Sequence, residues 1–153
     1  MILRIAKLTF ACAVCATLAI ACHTSSSSSS STEQGSQRAA EQKKIVELTV
    51  ADVGRLLEDK RATVLDANDA DTRKEYGVVP GAVLLSGKDY PLGVLPASKA
   101  EKLVFYCGGT QCRASDKAAE RAATAGYSDV SVMRAGIRGW KDAGRVTSAA
   151  PQS

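Results

Sequence analysis

Apolar residues along this chain gather in short runs, separated by longer stretches with a helical spacing of apolar and polar positions. The runs begin near Ile45, Thr63, Ala82, Leu103 and Val130, and each is three or four residues long. That length is typical of strands buried on both faces of a sheet. Such strands alternating with helices predict an α/β fold, in which a parallel sheet of about five strands is flanked by helices on both faces.

Helix signals lie between the runs. Thr49 followed three residues later by Asp52 is a capping pattern that predicts a helix start. Further helices are predicted over residues 114–125 and around Trp140, whose indole we expect to anchor the last helix in the core. Residues 86–102 contain two prolines and two glycines, which predict a loose connection.

The chain begins with a predicted targeting segment, residues 1–21. Arg4 and Lys7 precede an apolar run that ends in small residues, as in a secretory signal peptide. The run is too short to cross a bilayer comfortably. Two processing routes remain open. One is ordinary signal-peptide cleavage, and the other is lipidation of Cys22, because residues 18–22 resemble a bacterial lipobox.

Residues 22–44 predict a flexible tether. Seven consecutive serines occupy positions 25–31, and this polar stretch cannot bury enough apolar surface to order itself. About twenty flexible residues reach on the order of 25 Å, enough to hold a domain clear of a membrane. We therefore favour a lipid anchor at Cys22 and an exported protein of the periplasm or cell envelope. His23 after that cysteine favours the outer membrane, by resemblance to known sorting rules.

Residues 45–146 form the predicted domain, and residues 147–153 a short tail. The whole chain is 45% hydrophobic and 24% charged, as is normal for a soluble globular protein. Its net charge of +4 is spread out, without a run of lysines and arginines, which argues against a nucleic-acid partner. We expect a monomer.

Residues 107–113, here called the cysteine loop, carry the strongest chemical signal. Cys107 follows the fourth apolar run, and the loop leads directly into the helix predicted at 114–125. A thiol there meets the unpaired N–H groups and the positive dipole end of the helix, which favour the reactive thiolate. Cys107 is the candidate catalytic nucleophile. The candidate substrate- and anion-binding residues are Gly108, Gly109, Thr110, Gln111, Cys112, Arg113 and Ser115.

The predicted domain contains no histidine, since the only one in the chain is His23. Activation of Cys107 must therefore come from loop amides, the helix N-terminus and Arg113. Gly108 and Gly109 let the backbone curl so that its amides approach an anion. Arg113 suits a bidentate hydrogen bond to sulfonate or phosphate oxygens. The alternative role for Arg113 is that of a solvated arginine at the helix start.

Three roles remain open for Cys112. The first is a resolving thiol that closes a disulfide with Cys107. The second is the nucleophile itself, and the third is one half of a purely structural disulfide in an oxidising compartment. We assign the nucleophile to Cys107 because it directly follows the strand. Two cysteines without nearby histidines give too few ligands for zinc, so we expect neither a metal nor a cofactor.

Four motifs occur in the order and spacing of a known family. They are Val64-Leu65-Asp66, residues 75–82, Val104-Phe105-Tyr106-Cys107, and the segments 125–130 and 136–140. They resemble the Asp-Val-Arg strand, the Pro-Gly-Ala turn, the active-site strand and the C-terminal Gly-Gly-Ile-x-x-Trp region of rhodanese homology domains. The resemblance implies a three-layer rhodanese-like fold. It also implies a sulfurtransferase that passes sulfane sulfur from a small donor, through a Cys107 persulfide, to a thiol or cyanide-like acceptor.

Departures from the family pattern keep other functions open. The cysteine loop has seven residues from Cys107 to Arg113, where sulfurtransferases usually have six, and so resembles same-fold phosphatases and arsenate reductases. Asn68 stands where the family has an arginine, and Asp66 is expected to have a structural hydrogen-bonding role. The alternatives are therefore oxyanion chemistry in the longer loop, or a non-catalytic redox or binding module with a Cys107–Cys112 disulfide.

Overall fold

The computed structural model describes residues 44–150, which form an α/β domain. The predicted signal peptide, Cys22 and all of the predicted tether except Lys44 lie outside the described residues. Among the residues described, no helix has the length and apolar character needed to cross a membrane. The strands are β1 (Val46–Glu47), β2 (Thr63–Asp66), β3 (Val83–Leu84), β4 (Lys102–Tyr106) and β5 (Asp129–Met133), and the helices are α1 (Val50–Glu58), α2 (Ala70–Tyr76), α3 (Ala114–Thr124) and α4 (Gly136–Asp142).

The five strands form one parallel sheet in the order β1-β5-β4-β2-β3, which confirms the predicted fold class. From β2 the chain runs outward to β3, whereas from β4 it runs toward the other edge, to β5. The segments that follow β2 and β4 therefore leave these neighbouring strands in opposite directions. In open parallel sheets, the crevice beyond the carboxyl ends of such a strand pair is the usual place for a ligand site.

Alternation of side chains along the strands divides the core into two layers. Leu65 and Phe105 belong to one buried cluster, which includes the alanines of α3. Val64 and Val104 belong to the other, together with Trp140 of α4. Helices therefore cover both faces of the sheet, and Trp140 is buried in the core as predicted.

The capping pattern predicted at the start of α1 is confirmed. The Thr49 side chain accepts a hydrogen bond from the Asp52 N–H, and the Asp52 carboxylate accepts one from the Thr49 N–H, both at 3.1 Å. The hydrophobic pattern does not predict α2, because none of its residues is buried and it has no apolar stripe. Its local signal is Asp69, whose carboxylate accepts a hydrogen bond from the Thr72 N–H at 2.7 Å.

The domain extends beyond residue 146, where the tail was expected to begin. Ser148 and Val78 form an antiparallel bridge, in which each N–H donates to the other carbonyl at 2.9 Å. The Trp140 indole donates to the Val146 carbonyl at 2.8 Å. The first residues of the predicted tail are therefore attached to the domain by backbone hydrogen bonds.

Candidate active site

Cys107 lies directly after β4, at the crevice between the carboxyl ends of β2 and β4. The residue is 2% exposed and belongs to the buried cluster that packs against α3. The Cys107 Sγ is 3.3 Å from the Oγ of Ser115, which is buried in the first turn of α3. A hydroxyl and a helix N-terminus at this distance both stabilise a thiolate once the sulfur is reduced.

Cys107 and Cys112, here called the cysteine pair, are joined by a disulfide. Their Cα atoms are 6.2 Å apart, and the Cys112 N–H closes the turn between them by donating to the Gly109 carbonyl at 2.9 Å. Cys112 is half-buried and faces a cavity, whereas Cys107 is enclosed by the core. This arrangement fits the two roles in which Cys112 is a disulfide partner.

Helix α4 holds the start of the cysteine loop through its backbone. The Ile137 N–H donates to the Cys107 carbonyl at 2.8 Å, and the Arg138 N–H donates to the Gly108 carbonyl at 3.2 Å. Gly136 makes this approach feasible: its φ is +64°, and a Cβ there would lie 2.4 Å from the Cys107 oxygen. Glycine is the residue that fits, because it has no Cβ and adopts positive φ without strain.

A cavity of about 460 Å³ opens beside Cys112, beyond the carboxyl ends of β2 and β4. Predicted loop residues 108–112 line it, so five of the candidate binding residues come together around one space. The remaining polar lining comes from two other parts of the chain. These residues are Asn68, Asp69 and Thr72 after β2, and Arg138 and Asp142 of α4.

Arg113 is not brought into this cavity. Its side chain is 69% exposed and forms an ion pair with Asp116 at 3.0 Å. Asp116 also pairs with Arg134 at 2.9 Å, so Arg113 is held on the outer side of α3. The structure therefore agrees with the prediction that Arg113 is a solvated arginine at the helix start. It does not place Arg113 where it could form bidentate hydrogen bonds to an anion beside Cys107.

Arg138 is the arginine that lines the cavity, and it is absent from the residues predicted to bind an anion. Its guanidinium carbon lies 4.9 Å from the centre of the Tyr76 ring. No local pattern marks Arg138, because the contact of α4 with the cysteine loop is long-range. Asn68 also lines the cavity, and its buried Nδ2 has no hydrogen-bond partner among the described residues. Arg138 therefore gives the cavity a charged donor for a small anion.

Asp66 has the structural role expected of it. The buried carboxylate accepts hydrogen bonds from the Tyr106 hydroxyl and the Asn68 N–H, both at 2.7 Å. Burial, and next the charge of Asp66, raise the pKa of Tyr106, so this hydroxyl stays a donor. The Arg73 Nε lies 3.5 Å from the Asp66 carboxylate, so Arg73 supplies the positive charge that position 68 lacks.

The described residues show no group of cysteine, aspartate and glutamate side chains arranged to hold a metal ion. The crevice itself brings together two sulfurs, the buried Ser115 hydroxyl and the Arg138 guanidinium. Reduced, the cysteine pair offers a nucleophile; oxidised, it offers a disulfide that a nucleophile can open.

Comparison with solved structures identifies the fold. The BH2092 protein from Bacillus halodurans is 23% identical, with 72% of this chain and 82% of that chain covered and a TM-score of 0.56. The RPA3614 protein from Rhodopseudomonas palustris, described as a possible tyrosine phosphatase, is 24% identical, with coverages of 68% and 85% and a TM-score of 0.57. The single-domain sulfurtransferase RDL2 from Saccharomyces cerevisiae is 19% identical, with coverages of 67% and 93% and a TM-score of 0.52.

These identities show a shared fold and leave the reaction open. No curated protein matches the chain significantly. A family model described as a rhodanese-like domain matches residues 49–143, which is more than half of the sequence. The chain belongs to the rhodanese-like domain family.

Proposed function

We propose that this protein is an extracytoplasmic sulfurtransferase whose reduced form carries sulfane sulfur as a persulfide on Cys107. The observation that carries the proposal is the place of Cys107, after β4 at the strand-pair crevice, with the Ser115 hydroxyl 3.3 Å from its sulfur. Family membership and the fold shared with a sulfurtransferase support it. The outward position of Arg113 argues against a phosphatase, which needs a loop arginine on the transferred phosphoryl group.

The reaction begins with the reduced cysteine pair. The Cys107 thiolate attacks the outer sulfur of a donor such as thiosulfate, the sulfur–sulfur bond of the donor breaks, and sulfite leaves with the electron pair. A thiolate or cyanide acceptor then attacks the outer sulfur of the persulfide, and Cys107 returns as a thiolate. Ser115 donates a hydrogen bond to that thiolate. When no acceptor arrives, the Cys112 thiolate attacks the inner sulfur of the Cys107 persulfide, which closes the disulfide and releases hydrosulfide.

Mass spectrometry of the reduced protein after thiosulfate treatment tests the sulfur carrier. We expect a gain of one sulfur atom on the peptide that contains Cys107, and its loss in Cys107→Ser. Cys112→Ser is the matched control and should still be loaded, because it keeps the nucleophile. Absence of a persulfide with every sulfane donor, together with full activity in Cys107→Ser, would contradict the assignment.

Replacing Arg138 tests the donor site. Arg138→Ala should raise the KM for thiosulfate about tenfold with little change in kcat, because a charged hydrogen bond to the anion is lost. Arg55→Ala is the control, since Arg55 is an exposed arginine on α1, paired with Asp52. Steady-state kinetics of both variants gives the answer, and an unchanged KM in Arg138→Ala would remove this residue from donor binding.

A further inference from the structure

We propose that the disulfide form has an activity of its own, in which it accepts hydrosulfide at Cys112 and converts it to sulfane sulfur. The proposal rests on the proposed function, because its end product is the same Cys107 persulfide. It differs in the sulfur source and in the oxidation state of the protein. In the structure Cys107 is bonded to Cys112, so it has no free thiolate with which to attack thiosulfate. A disulfide reacts instead as an electrophile, with incoming thiolates and hydrosulfide.

The burial of the two sulfurs decides which one is attacked. Cys107 is 2% exposed and forms part of the core beside α3. Cys112 is half-buried and lines the cavity of about 460 Å³. A nucleophile that enters this cavity therefore meets Cys112 first, and Cys107 becomes the leaving group.

The contacts of Cys107 also favour it as the leaving group. The Ser115 hydroxyl is 3.3 Å from its sulfur, and the first turn of α3 begins nearby. Both contacts stabilise the negative charge that develops on Cys107 as the disulfide opens. In thiol–disulfide exchange, stabilisation of the leaving thiolate speeds the reaction.

The polar lining of the cavity favours a small anion over a larger acidic thiol. Arg138 lines it and is a donor for negative charge. Asp69 and Asp142 line the same cavity. The hydrogen bond from Thr72 lowers the pKa of Asp69, which keeps this carboxylate charged. These carboxylates repel a thiol such as glutathione, which carries its own carboxylates, more than they repel hydrosulfide, a single heavy atom.

The atoms and electrons of the step balance without an external oxidant. The sulfur of HS⁻ bonds to Cys112 Sγ, the Cys107–Cys112 bond breaks, and its electron pair leaves on Cys107 as a thiolate. Cys112 then carries the persulfide and its proton, and the disulfide has oxidised sulfide by two electrons. The Cys107 thiolate next attacks the outer sulfur, which moves to Cys107 while Cys112 becomes the thiolate. One disulfide is used for each sulfur loaded.

The test compares two oxidation states and two sulfur sources, using the full chain under anaerobic conditions, rapid alkylation and peptide mass spectrometry. With sodium sulfide, the oxidised protein should gain one sulfur on a peptide of the cysteine pair, whereas protein reduced beforehand should gain none. With thiosulfate the pattern should reverse. Cys112→Ser has no disulfide to open, and should lose loading from sulfide.

Failure of the sulfide arm alone overturns this inference and leaves the proposed function standing. Failure of the thiosulfate arm in the reduced protein counts against the proposed function instead.

A second arm follows disulfide opening by glutathione. We expect it to be slower than opening by sulfide at equal thiolate concentration, and severalfold faster in Asp142→Asn. Equal rates for the two nucleophiles in the unchanged protein would overturn the selectivity for hydrosulfide.

Discussion

Gly136 is the residue on which the contact between the cysteine loop and α4 depends. A Cβ at this position would lie 2.4 Å from the Cys107 oxygen and 2.5 Å from the Gly109 nitrogen. These neighbours are backbone atoms, which cannot turn aside as the end of a flexible side chain does. A substitution at Gly136 therefore moves either the helix start or the loop, and both belong to the site.

Gly136→Ala should lower the free energy of unfolding by about 2–4 kcal/mol, since it combines a positive φ with a backbone clash. Gly81→Ala is the matched control. Gly81 also has a positive φ, +77°, but nothing lies within 4 Å of its Cβ position, so about 1 kcal/mol is expected. Urea unfolding of the two variants measures the difference, and equal losses would show that the close contact contributes nothing.

Sequence reasoning at the residue scale succeeds where a role depends on neighbours along the chain. Cys107 and Ser115 were predicted to share a site because both flank one strand-to-helix turn. The sequence shows that Asn68 replaces the family arginine, but it does not predict which residue supplies the positive charge instead. Arg73 supplies the missing charge from a helix that the hydrophobic pattern did not predict.

At the scale of elements, an ion-pair network joins the start of α3 to the end of β5. Asp116 in the first turn of α3 accepts hydrogen bonds from Arg134, just after β5, and from Arg113. Burial raises the pKa of Asp116, but these hydrogen bonds outweigh it and hold the pKa below its usual value. The charged form is therefore favoured in the folded protein.

This network makes stability depend on pH in a defined direction. The contribution of Asp116 is complete above its unfolded-state pKa, about 3.9, and is lost as the pH falls through the lower folded-state pKa. Asp116→Asn should therefore cost about 1 kcal/mol at neutral pH and progressively less in acid. Glu120→Gln, an exposed change on the same helix, should cost little at either pH. Urea unfolding at several pH values checks this, and a loss for Asp116→Asn that does not shrink in acid would contradict the electrostatic origin.

The strands and three of the helices were predictable because their signals are local. Apolar runs mark the strands, and the Thr49–Asp52 pattern marks the start of α1. The hydrophobic pattern does not predict α2, because none of its residues is buried and it has no periodic apolar stripe; Tyr76, partly buried against one core cluster, is a single apolar position. The bridge between Ser148 and Val78 could not be predicted either, because a single bridge between distant positions has no sequence pattern.

At the scale of the whole molecule, the site follows from strand order. The sequence predicts that Cys107 lies at a carboxyl strand end, but it does not tell which strand is the neighbour of β4. The order β4-β2 brings Asn68 and Thr72 to the cavity, and α4 brings Arg138. These three residues are separated along the chain from the cysteine loop, so their role required the structure.

The proposed envelope location belongs to the same scale, and depends on Cys22, outside the described residues. Cys22→Ser should release the protein from the membrane fraction into the soluble fraction, because it removes the proposed site of lipid attachment. Cell fractionation with immunodetection measures this, and replacement of the tether serine Ser28 by alanine is the control. Unchanged membrane association of Cys22→Ser would refute lipidation at that residue.

The backbone contacts of α4 also bear on how readily the cysteine pair opens and closes. The Ile137 N–H holds the Cys107 carbonyl, and the Cys112 N–H holds the Gly109 carbonyl. These backbone hydrogen bonds position both cysteines and do not depend on the bond between the two sulfurs. Once reduced, the thiols remain at a high effective concentration, so closing the ring again costs little chain entropy. A sulfur loaded on Cys107 is then held beside a second thiol that can expel it as hydrosulfide. Two competing reactions therefore set the lifetime of the persulfide: attack by Cys112 and sulfur transfer to the acceptor. Transfer dominates only when the acceptor reaches the crevice before Cys112 attacks.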